Sequence, residues 1–89
     1  MKKEEFKELL VLLKKKTEGR DAPFKFEETD NGFWLDYEPV ERIASEGKDF
    51  FGNDYPEEVV RVAKTIFDEC YIVKDRHGYD LRFVEEEEK

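Results

Sequence analysis

Ser45, Cys70 and His77 are the sole serine, cysteine and histidine of an 89-residue chain, and nucleophilic catalysis needs a Ser or Cys beside a base. Their local settings argue against such a pairing. Cys70 falls on the apolar stripe of a helical segment, where a free cysteine behaves as a small hydrophobe. Ser45 closes a short helical segment, and His77 lies in a turn that leaves its ring solvated. No catalytic residue is expected from the three. A single cysteine also forbids an internal disulfide and cannot by itself build a four-ligand structural zinc site. With 24 Asp and Glu in the chain, some carboxylate pair will stand at any chosen separation, so a glycosidase-type dyad has no signal here. Asp30-Asn31-Gly32 and Asp49 to Asp54 share the composition of calcium loops but lack the run that ends in a bidentate Glu. Five scattered glycines form none of the phosphate-cradling motifs. Neither enzyme, metal nor cofactor is the expectation.

Two groups of residues suit recognition instead. Glu27, Trp34, Asp36 and Glu38 alternate on the polar face of a hairpin. Alternate strand residues stand about 6.6 Å apart, close to two steps along a nucleic-acid strand. A row of carboxylates there could imitate phosphates to a basic groove. The plainer account is a solvated face with Trp34 folded over Thr29. The second group, Phe50 and Phe51, lies in an irregular stretch. These rings either plug one end of the core or anchor a partner, since interface hot spots favour aromatic residues.

Charge bears on the class of partner. Sixteen Lys and Arg against 24 Asp and Glu give a net −8, unevenly spread. Residues 1–20 hold seven bases and four acids, a net +3, which leaves −11 on the remainder. Such a body is repelled by nucleic acid, whose binders neutralise phosphates with Lys and Arg. It is drawn to a basic protein surface. No stretch approaches the roughly 20 apolar residues that span a bilayer. The start, Met1-Lys2-Lys3-Glu4-Glu5, leads into an amphipathic segment, so a cytoplasmic protein without membrane partners is expected.

The elements that must position these residues follow from periodicity. Phe6, Leu9, Leu10 and Leu13 have helical spacing over Lys3 to Lys16, with Val11 and Leu12 widening the face. Glu4 and Glu5 at its start and Lys14, Lys15 and Lys16 at its end complement the macrodipole, and Gly19 supplies a left-handed stop. Pro23 ends a linker. Phe24 to Glu38 form a hairpin around Asn31-Gly32, expected as a type I′ turn. That register opposes Phe26 with Tyr37 and Glu28 with Leu35, and it sets Glu27 against Asp36, a like-charge pair. Pro39, Val40, Ile43 and Ala44 before Gly47 predict a short helix, and Lys48 to Asn53 a loop. Asp54 and Glu57 have capping-box spacing. They precede a helix whose buried stripe is Val59, Ala63, Ile66, Phe67 and Cys70. A second hairpin with a three-residue loop at Asp75-Arg76-His77-Gly78 opposes Tyr71 with Phe83 and Val73 with Leu81 on its apolar face. Glu85 to Lys89 make a frayed acidic tail.

The 15% aromatic content is too high for a disordered chain, and one domain is all that 89 residues support. The fold class is therefore α+β over residues 1–89: two hairpins joined into a four-stranded, mostly antiparallel sheet, one face packed by two amphipathic helices, in the order α-β-β-(short α)-α-β-β. The functional expectation is a small acidic binding protein that occludes a basic surface of a partner protein, a nucleic-acid-binding site being one such surface. Its analogy of size and charge is with phage inhibitors of host defence and with antitoxin or immunity proteins. The rival is an assembly module that self-associates into a homo-oligomer or docks through exposed Trp34, Phe50 and Phe51.

Overall fold

The computed structural model describes residues 1–19 and 24–86; the expected linker end at Pro23 lies outside them. The elements run α1 (Lys3–Thr17), β1 (Phe26–Thr29), β2 (Gly32–Asp36), α2 (Tyr37–Glu46), α3 (Glu57–Glu69), β3 (Tyr71–Asp75) and β4 (Gly78–Val84). The four strands form one antiparallel sheet in the order β1-β2-β4-β3. Both hairpins therefore share that sheet, joined by their second strands, and the α+β architecture is as the periodicity predicts. Phe33 and Leu35 of β2 and Leu81 and Phe83 of β4 point to one face. There they enclose a core with Phe6, Leu10 and Leu13 of α1, Val40 and Ile43 of α2, and Val59, Ala63 and Ile66 of α3. The rings of Phe6 and Phe83 stack 3.9 Å apart at its centre. Val11 and Leu12 do not widen the buried face of α1; they are exposed, and Thr17 is buried instead.

Several local expectations are corrected. The first hairpin turns at Asp30-Asn31, pairing Thr29 with Gly32, Glu27 with Trp34 and Phe26 with Leu35. Neither Asn31 nor Gly32 has positive φ, so the turn is not type I′. Gly32 is needed for another reason. A Cβ built there would overlap the carbonyl of Phe83, because β4 passes against β2 at Gly32. Close approach in the sheet outweighs the turn preference of Asn-Gly. The shift of two residues keeps the side chains of β1 and β2 on their expected faces, since the strand period is two. It also removes the expected clash, because the backbone of Asp36 now bonds to that of Lys25 and Glu27 faces Trp34. Tyr37 leaves the sheet and begins α2, where its ring lies 5.3 Å from that of Tyr79. Glu38 goes with it.

In the second hairpin the loop is two residues, Arg76-His77, and the register opposes Ile72 with Leu81 and Tyr71 with Arg82. The Asp75 carboxylate accepts the His77 N–H at 2.7 Å and closes that turn. The slip is one residue, so β3 shows the opposite faces from those expected. Its pattern could not resist this, because β3 has no fully buried residue. Asp54 does not cap α3: Pro56 holds the N-cap position. Asp54 instead bridges to Lys48 across the loop, with an ion pair at 3.2 Å. Glu85, expected to fray, donates its N–H to the Asn31 carbonyl at 2.8 Å; Glu86 is exposed, and residues 87–89 of the expected tail lie outside the described residues.

Candidate functional site

Side chains alternate across a strand. With helices on one face, the residues between the core positions of β2 and β4 therefore stand on the other, which carries no helix among the described residues. One row across this open face runs Glu27, Trp34, Arg82, Tyr71, and the next holds Asp36 opposite Asp80, with Val73 beyond. A groove of about 560 Å³ lies over them, lined by Lys25, Glu27, Trp34, Asp36, Asp75 and Asp80 among others. Four carboxylates thus surround one lysine and one indole.

Two features set the groove's chemistry. Asp36 and Asp80 are direct cross-strand neighbours, both half-buried, and like charges so placed oppose folding. One Asp36 oxygen accepts the Lys25 backbone N–H at 3.2 Å. Arg82 gives its charge elsewhere. Its guanidinium lies 5.1 Å from the Trp34 ring and donates to Thr29 Oγ1 and Asn31 Oδ1, each at 2.9 Å. Trp34, 37% exposed, thus has a cation over its ring. The acidic half of the groove and the Arg82-Trp34 pair stand side by side.

Of the residues named from sequence, the open face brings together Glu27, Trp34 and Asp36. Glu38 is elsewhere, on the first turn of α2, where it pairs with Arg42 at 2.7 Å. Phe50 and Phe51 do not plug the core, a role that falls to Tyr55. They are 59% and 72% exposed, pack edge to face, and Phe50 lies under Arg42 at 4.8 Å. Their loop is organised by Asp49, buried, whose carboxylate accepts the N–H of Phe51 and of Asn53, each at 2.9 Å. Those bonds give the acid of this calcium-like stretch a structural job.

Sequence reasoning missed Asp75, Asp80 and Arg82. The alternation of β4 did place Asp80 and Arg82 on its polar face. Only the pairing of β2 with β4 puts that face beside Trp34, and no local signal encodes it.

The nucleophile candidates stay apart in environment. Cys70 caps the end of α3, and burial, helped by the charge of Glu69, pushes its thiol up to about 12, far from the thiolate a nucleophile requires. His77 is exposed in the β3–β4 turn, and Ser45 is exposed near the end of α2. Among the described residues no cluster of His, Cys, Asp and Glu could hold a metal ion, and no helix is long and apolar enough to cross a membrane. Comparison with protein-family models, curated proteins and solved structures found no match.

Proposed function

We propose that this chain is a non-enzymatic binding protein whose open sheet face receives a cationic segment of another protein, occluding a surface of the kind that holds nucleic acid. The observation that carries the reading is the half-buried Asp36-Asp80 pair at the floor of a groove rimmed by Glu27 and Asp75. A like-charge pair there costs stability in the free protein, and an arriving guanidinium or ammonium relieves it. Trp34 beside it offers the flat aromatic surface on which an arginine stacks, as Arg82 already does from within the chain. The net −8 speeds such an encounter, and the groove gives it a destination.

Trp34 is the sole tryptophan, so its emission reports on this face. Titration with an arginine-rich peptide is expected to change that emission, with affinity falling as salt rises. Reversing Glu27, Asp36 and Asp80 to Lys is expected to weaken binding about tenfold or more. Reversing Glu46, Glu58 and Asp68, all exposed on the helices, changes net charge equally and is expected to matter far less. Equal losses in the two triple variants would reduce the effect to net charge and remove the groove from the account.

A further inference from the structure

An antiparallel ladder alternates hydrogen-bonded and non-hydrogen-bonded pairs. In β3–β4 the two-residue connection makes Asp75 and Gly78 a bonded pair, and alternation extends this to Val73 with Asp80 and Tyr71 with Arg82. The backbone N–H and C=O groups of Ile72 and Lys74 therefore point away from β4, at the end of the sheet. The other edge is defended. There the outward residues of β1 are Phe26 and Glu28; Glu28 is ion-paired to Lys3 at 3.0 Å and Lys7 at 3.2 Å, and Lys3 also donates to the Thr29 carbonyl at 2.6 Å. β3 carries its own Lys74, whose ammonium lies 5.5 Å from the Tyr79 ring of β4, but among the described residues no proline, bulge or helix-borne lysine covers the strand, and its residues Tyr71 and Ile72 are 55% and 49% exposed. Proteins normally blunt such an edge, since it templates another strand.

We infer that β3 pairs antiparallel with β3 of a second copy of this chain, giving one continuous eight-stranded sheet about a two-fold axis. Self-complementarity selects the register. With Val73 facing Val73 of the other copy on the axis, Ile72 lies opposite Lys74 and exchanges two hydrogen bonds with it, and the symmetry repeats the pair. Tyr71 then faces Asp75 on the open side, and no like charges are opposed. Sliding two residues one way sets Lys74 against Lys74. Sliding the other way calls on the Cys70 N–H, which already donates to Phe67 at 3.2 Å. In the selected register the two open faces become one surface, with Tyr71 and Val73 at its centre.

Each copy carries −8, so screening favours this pairing: it tightens with salt, the reverse of binding to the arginine-rich peptide. Light scattering over a concentration series is expected to show a rise from 10.7 kDa to twice that mass, at lower concentration in high salt. Ile72→Pro removes an outward N–H and no bond to β4. Ile72→Lys sets a second lysine on the edge, opposite Lys74 of the other copy in the selected register. Both are expected to stay monomeric with an unchanged circular dichroism spectrum. On the axis, Val73 pairs with its copy at a Cα separation of about 4.5 Å, within the range of a disulfide. A Cys70→Ala, Val73→Cys protein is therefore expected to oxidise to a covalent dimer, and a Cys70→Ala, Tyr71→Cys protein to resist. A wild-type monomer at every concentration and salt overturns the inference. A dimer that survives Ile72→Pro, or crosslinks through Tyr71→Cys in preference, overturns it equally.

Discussion

In the first hairpin β1 is fastened from outside the sheet: Lys3 and Lys7 of α1 reach its Glu28, Lys14 lies 5.6 Å from its Phe26 ring, and β2 beside it is buried by the helices. In the second, β4 is anchored by Leu81 and Phe83 in the core, but β3 has neighbours on one side only and no buried residue. The two hairpins share a two-residue turn and differ in who holds their outer strand. Local hairpin formation thus does not decide how firmly a strand is held; the third partner does. A hairpin alone is marginal in water, and a strand with one flank open is the part of a sheet available for recruitment.

The glycines closing the two hairpins test that contrast most severely. Gly32→Ala drives a methyl into the Phe83 carbonyl between β2 and β4. It is expected to cost about 5 kcal/mol, the upper range for a single substitution and comparable with the whole stability of a small domain. Gly78→Ala meets no atom within 4 Å and suffers only from φ of +124°, expected at about 1–3 kcal/mol. Urea denaturation ranks them, and the opposite ranking would mean that the sheet is joined elsewhere than at β2 and β4.

Side chains sharpen the same comparison. Phe83→Ala removes a ring stacked on Phe6 and is expected to cost about 3–5 kcal/mol. Ile72→Ala, on the exposed strand of the same hairpin, is expected to stay within about 0.5 kcal/mol for the monomer. A large loss from Ile72→Ala at dilution would show β3 to be held more tightly than its exposure implies.

The smallest effect concerns the clasp on β1. Hydrogen bonds from Lys3 and then Lys7 favour the ionised form of Glu28 and hold its carboxyl below its ordinary value of 4.5. A depressed folded value contributes stability that is present above the unfolded value and is lost as pH falls through the folded one, so the acid side of pH 4.5 is where the clasp opens. Carboxyl NMR titration of Glu28 is expected to give a value below 4.5, rising toward it in Lys3→Ala and in Lys7→Ala. No rise in either variant would mean that α1 does not clasp β1 in solution.

Legibility in the sequence followed burial. Where a residue pattern had one wet and one dry face, the pattern was enough: α1 from Phe6, Leu10 and Leu13, α3 from Val59, Ala63 and Ile66, and the alternation of β2 and β4 all stand in the structure as the spacing predicts. Where both faces are exposed, as on β3, a slip of one residue cost nothing in the pattern, and the predicted register failed there. At Asn31-Gly32 the turn rule failed because a strand 51 residues further on, meeting Gly32 at Phe83 and Val84, has the prior claim. The candidate site shows the same division. Glu27, Trp34 and Asp36 were found because they alternate along one hairpin, whereas Asp75, Asp80 and Arg82 join them only across the β2–β4 pairing.

Sequence alone determined the class of every long element, the inward face of each but β3 and the acidity of the whole, since these depend on the type and period of neighbouring residues. Tertiary structure decided the strand order, the turn at Asp30-Asn31, the edge left open at β3 and the meeting of Asp36 with Asp80. Each of these depends on which distant backbone comes within hydrogen-bonding reach, and a local pattern of period two is satisfied equally well by any partner that presents the matching face.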